Sequence, residues 1–232
     1  MPGNDAYTKL LIHANEADTS TTPADSSASV HTITAVGNAQ VDTAQYPPLT
    51  GATGSLLFDG TGDYLSIPTH ADFAYGTGDF TVDFWTRFTT VSAQSPWRNG
   101  DAGNNTKFSI IYRHDDVAVA VYLNTTAYLF SWSPTTNTWY HVAVTRSGTS
   151  LRAFVDGTQI GSTQTSSDNI PQVGAWIGNN NGVTYMNGWI GEYRESNIAR
   201  WTANFTPSTV QYSPDSTQSP RSMHQFRLRR AA

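Results

Sequence analysis

The stretch from Thr138 to Ser162, TWYHVAVTRSGTSLRAFVDGTQIGS, leaves this chain few choices of fold. Val142, Val144, Leu151, Ala153, Val155 and Ile160 recur at period two among polar or small neighbours, the pattern of strands with one buried face. Asp156-Gly157 interrupts the pattern where a two-residue turn needs positive φ at both central positions, which this dipeptide accepts. A hairpin there pairs Val155 with Thr158 and Ala153 with Ile160, so the apolar residues share one side. Ser147 to Ser150 forms the preceding turn and sets Val144 opposite Ala153 and Val142 opposite Val155. The result is a three-stranded antiparallel meander.

The rest of the chain follows in kind. Tyr7–His13, His31–Val36, Ala39–Val41, Ser55–Phe58, Asp63–Ile67, Phe80–Phe88, Phe108–Tyr112, Val117–Leu123, Ala127–Trp132, Ala175–Gly178 and Gly188–Arg194 read as short strands, and no long helix is legible. Ser55–Phe58 and Asp63–Ile67 read as a hairpin about Asp59-Gly60-Thr61-Gly62, and His70–Phe73 as one helical turn. Only three glutamates and two lysines occur, a shortage of strong helix formers. About a dozen strands at close spacing predict an all-β sandwich over residues 1–212, with a basic tail over 213–232.

Cysteine is absent, which excludes disulfides and thiolate chemistry. A net charge of -5 gives no basis for a nucleic-acid partner. No apolar run reaches bilayer-spanning length, and the first twenty residues do not read as a cleaved leader.

Four segments together resemble the laminin G-like, concanavalin A-like jelly-roll superfamily: Leu56–Pro68, Gly78–Phe88, the central meander, and Gly188–Pro207. The resemblance implies two antiparallel sheets. Ala199–Pro207, ARWTANFTP, further resembles the ending of such domains in tailed-bacteriophage proteins. That likeness implies a non-enzymatic virion protein on a capsid or tail surface, made without a signal peptide, whose lectin-like jelly roll binds host glycans. The implied partners are other virion proteins, a cell-surface glycan and further copies of the chain. The alternatives are a free-standing carbohydrate-binding module and, third, a glycoside hydrolase. In one departure, Gly191-Glu192 stands where the family usually carries Asp-Glu, which implies a weakened calcium site.

Four sets of candidate residues follow. Trp85 lies on the face of its strand opposite Phe80, Val82 and Phe84, with Asp83 and Arg87 beside it. An outward indole is a platform for a sugar ring and the charged neighbours suit its hydroxyls; the competing reading is that another layer covers Trp85. Trp97 with Arg98 and Asn99 reads as an exposed aromatic on a polar loop, the first of several loops rich in Asn and Asp, a composition that ordinary turns also favour. Asp18, Asp25 and Glu192 form the candidate calcium set, because terminal strands of this fold neighbour each other. Arg221, Phe226, Arg227, Arg229 and Arg230 make the tail a candidate docking arm, against the reading of a disordered end. Catalysis is not expected, because Glu16, Glu192 and Glu195 cannot form the tight carboxylate cluster that glycoside hydrolysis on one strand requires.

Overall fold

The computed structural model describes residues 3–91, 95–100 and 107–213. The first strands are β1 (Thr8–Ile12), β2 (Thr34–Val36), β3 (Gln40–Asp42), β4 (Ser55–Asp59), β5 (Tyr64–Ile67) and β6 (Phe80–Phe88). They are followed by β7 (Ser95–Arg98), β8 (Phe108–Arg113), β9 (Ala118–Leu123), β10 (Thr126–Ser131), β11 (Trp139–Ser147) and β12 (Ser150–Val155). The last are β13 (Thr158–Thr165), β14 (Ala175–Ile177), β15 (Asn179–Asn180), β16 (Thr184–Tyr185) and β17 (Asn187–Ser196). A 3-10 turn covers Ala71–Phe73, within the helical turn expected there.

Two antiparallel layers result. The first runs β13-β12-β11-β6-β17-β4-β3, with β1 on the second half of β17. The second joins β10-β9-β8-β7 to β14-β5-β2 through reciprocal backbone hydrogen bonds between Asn99 and Trp176. The core lies between them. Ring pairs cross it, with Phe80 against Phe108, Phe84 against Trp97 and Phe88 against Tyr112 at centroid distances of 4.9, 5.1 and 5.4 Å. Burying rings of this size is the main favourable term in such a sandwich.

The meander has the expected register: Val142 faces Val155, Val144 faces Ala153, and Val155 faces Thr158. Asp156 and Gly157 have φ of 49° and 76°, as their turn demands. Gly157 carries a second constraint, because a Cβ there would clash with the backbone carbonyl oxygen of Phe205. Gly157→Ala is therefore expected to cost about 1–3 kcal/mol. Thermal melts should show a midpoint lower by about 2–4 °C per kcal/mol for a domain of this size; an unchanged midpoint would refute the clash.

Two readings of connectivity are corrected. β4 and β5 are not a hairpin: β4 joins the first layer and β5 the second. Phe58 and Leu65 both point into the core, and the intervening turn crosses between layers. The buried Asp63 carboxylate holds that crossing by accepting from the backbone N–H groups of Asp59 and Asn38. The Trp97 segment is not a loop but strand β7, pinned by the indole N–H donating to Thr86 Oγ1 at 3.1 Å.

Candidate functional site

The outer face of the first layer alternates with the core face residue by residue, so its rows can be read across neighbouring strands. One row is Trp139 on β11, Arg87 on β6 and Trp189 on β17, directly opposite one another. All three are half-buried. The Arg87 guanidinium stands over the Trp189 ring at 4.7 Å, and the Trp189 indole N–H donates to Asp42 at 2.8 Å. The two indoles are two strand steps apart, about 10 Å. The next row is His141, Trp85 and Gly191. Here Trp85 is half-buried and its ring meets His141 edge-on at 5.5 Å.

Below these rows the face is covered by the chain's own ends. Asp83 is fully buried and accepts two hydrogen bonds from Arg194, at 2.9 and 3.1 Å, and one from the Tyr212 hydroxyl at 2.7 Å. Burial alone would push the Asp83 carboxyl up. The Arg194 guanidinium, with His141 Nε2 at 3.5 Å, outweighs that and holds it well below the usual carboxylate range. The Tyr212 phenol is driven up by burial and by Asp83, so it stays a neutral donor. The Trp201 and Phe205 rings stack 4.0 Å apart and both meet His141 edge-on. A pocket of about 230 Å³ opens there, walled by Arg194, Trp201, Phe205 and Tyr212, with Thr206 and Ser208 at its edge. Its size suits one small ring rather than an extended ligand. Ring contacts run from Trp85 through the buried His141 to Trp201 at this pocket.

The structure divides the expected binding residues. Trp85 and Arg87 do lie on the outer face. Asp83 does not serve hydroxyls there, because Arg194 and Tyr212 occupy it. Trp97 is a correction: it is fully buried against Phe84 and Phe88, because the supposed loop is a strand facing the core. Asn99 is also fully buried and donates its amide to the Asn179 carbonyl. Trp139 and Trp189 were missed, although period two from Val142 and Ile190 places both on the outward side.

The candidate calcium carboxylates are not gathered into one cluster. Asp18 caps the Thr43 N–H, and Asp25 accepts from the N–H groups of Leu11, Ser27 and His31. Glu192 bonds His13 Nδ1 at 2.8 Å and also accepts from Gln211 and the Tyr212 N–H. At Gly191, where the resemblance implies Asp, an added Cβ would stand 2.9 Å from Pro47 Cδ, so a side chain there would have to displace that ring. The tail residues Arg221, Phe226, Arg227, Arg229 and Arg230 lie outside the described residues.

Residues 59–203 match the family model described as the Concanavalin A-like lectin/glucanases superfamily. No curated protein matches the chain. Among solved structures, the binding domain of Paraclostridial Mosquitocidal Protein 1 is 12% identical, with a TM-score of 0.62 over 83% of this chain and 49% of that one. The botulinum neurotoxin serotype C1 binding domain is 13% identical, with a TM-score of 0.60 and the same coverage. A Trypanosoma rangeli sialidase in complex with sialic acid is 18% identical, with a TM-score of 0.58 over 82% of this chain and 30% of that one. The chain thus spans about half the length of the toxin domains and under a third of the sialidase, and these likenesses concern the fold alone. With more than half of its residues matched and its two antiparallel layers in place, the chain belongs to the concanavalin A-like lectin/glucanase superfamily.

Proposed function

We propose that this chain is a non-enzymatic, lectin-like module on the surface of a tailed-phage virion, where it holds a host glycan against its outer aromatic face. The observation that carries the reading is the Trp139–Arg87–Trp189 row. The uncovered parts of these half-buried indoles offer flat apolar surface for the C–H face of a sugar, and a guanidinium between them supplies donors for hydroxyls or a carboxylate.

Binding rather than cleavage is supported by the use of the acids. Glu195 is fully buried between the layers, Glu192 is held by His13 and Tyr212, and Glu16 accepts from the Ala24 N–H. None of the three is aimed at the tryptophan row. Among proteins of similar fold, one botulinum neurotoxin type C is described as depending on two ganglioside molecules for cell entry, and the sialidase was solved with sialic acid. The virion setting rests on the resemblance of Ala199–Pro207 to phage proteins, with residues 213–232 as the anchor.

A glycan array should show retention of a defined set of sugars by the wild-type chain. Trp139→Ala or Trp189→Ala should weaken that binding at least tenfold, about 1.4 kcal/mol, while the melting midpoint stays within a few degrees. Removal of residues 213–232 should abolish particle attachment and leave sugar binding intact. Sugar binding without any attachment by the full chain would favour a free-standing module. Release of reducing ends from a polysaccharide would replace binding by catalysis.

A further inference from the structure

Away from the aromatic face, the loop before β2 meets the turn after β5. His31, His70 and Asp72 converge there, their donor atoms all within 4.8 Å of one another. His31 Nε2 lies 3.2 Å from Asp72 Oδ2, and His70 Nδ1 lies 3.3 Å from the same oxygen. The His31 side chain is only 7% exposed, and its Nε2 is buried without a hydrogen-bond partner among the described residues, because the 3.2 Å approach lacks hydrogen-bond geometry. His70 Nδ1 accepts from the Asp72 N–H at 3.2 Å. The single Nδ1 lone pair is taken by that N–H, with the Asp72 carboxylate oxygen 3.3 Å away, and it turns to a cation only when that bond is given up.

We infer that His31, His70 and Asp72 form a binding site for a divalent transition-metal ion of the zinc class. The donor set decides the class: two imidazoles and one carboxylate suit zinc, whereas calcium takes oxygen ligands almost throughout. Spacing agrees. With bonds of about 2.0–2.1 Å, ligand atoms on a tetrahedral zinc lie about 3.3 Å apart, and the two nitrogen-to-oxygen distances are 3.2 and 3.3 Å.

The surroundings hold the ligands in place. The His31 ring packs on Phe73 at 4.9 Å, its backbone N–H donates to Asp25, and the Ser29 hydroxyl donates to Asp72 Oδ2 at 2.6 Å. A support of this kind orients metal ligands. Three protein donors leave the fourth tetrahedral position open. It adjoins a cleft of about 280 Å³ bounded by Val30, Thr32 and Pro68, so the fourth ligand is water or a group from outside the chain.

The test is titration of the untagged, chelator-treated full-length chain with Zn²⁺ by calorimetry, and with Co²⁺ by absorption. One Zn²⁺ per chain is expected, with the intense visible bands of tetrahedral Co²⁺. His31→Gln and Asp72→Asn should each weaken Zn²⁺ binding at least 100-fold, while His114→Ala, at an exposed histidine, should leave it unchanged. Circular dichroism of each variant reports its fold, and a variant that unfolds is replaced by His70→Gln. Wild-type affinity no better than that of the His31→Gln/His70→Gln double variant would overturn the site, as would Ca²⁺ displacing Zn²⁺ at equal concentration.

Discussion

Asp83→Asn is expected to lower the unfolding free energy by about 3–5 kcal/mol, because it leaves the buried Arg194 guanidinium without its counter-charge. Arg194 is 2% exposed and also donates to the Gly3 carbonyl, while its guanidinium lies 3.6 Å from the Tyr212 ring centroid. One buried carboxylate therefore ties together β6, β17, the N-terminal segment and the C-terminal wrap. Urea unfolding at neutral pH measures the loss, and a difference below 1 kcal/mol would mean that the ends do not depend on this pair. The same variant separates the acid behaviour. A carboxyl held low in the native state contributes stability that is complete above its unfolded value, near pH 4, and is lost as pH falls toward the native value. Wild-type stability should thus fall steadily below about pH 4. The fall should be shallower, but not absent, in Asp83→Asn, because Asp5 and Asp72 are also held low. For Asp5, burial opposes the shift and Arg200 imposes it; for Asp72, burial opposes it and the Ser29 hydrogen bond leads the opposing effects.

Glu195→Gln should be as damaging, about 3–5 kcal/mol, for a different reason. Glu195 and Arg98 are both fully buried between the two layers, with Arg98 Nε 3.2 Å from the carboxylate. Arg98 also donates to the Phe108 carbonyl, and its guanidinium lies 4.1 Å from the Phe108 ring centroid. Tyr75 and Tyr193 donate to Glu195 at 2.8 and 2.9 Å, and burial followed by the Glu195 charge pushes both phenols well up. An apolar replacement, Arg98→Met with Glu195→Leu, should recover only part of the stability, since two phenolic hydroxyls lose their acceptor at about 1–3 kcal/mol each. Adding Tyr75→Phe and Tyr193→Phe should recover most of the remainder. Denaturant unfolding of the single, double and quadruple variants tests this order. A double variant as weak as the single one would show that the strands need the ion pair itself for their packing.

How much of this was legible differs from element to element. The β11–β12–β13 register followed from period two and from Asp156-Gly157, because both are local: a turn's backbone angles and a strand's alternation depend on residues a few positions apart. Trp139 and Trp189 were legible by the same rule. Trp97 was not, since a four-residue strand beside a polar stretch carries too little alternation to be told from a loop. Asp83 was mistaken for a surface residue because its cover, Tyr212, lies 129 positions away.

Sequence alone determined the antiparallel β architecture, the meander register and which residues share a face in the strands it revealed. Those properties come from the backbone's steric limits and the need to bury alternate side chains. Only the tertiary structure decided which outward face meets water and which is covered by the chain's own ends. It also decided that β4 and β5 part into different layers, and that His31, His70 and Asp72 meet. Such juxtapositions depend on how distant segments cross in space, and no period in the sequence encodes a crossing.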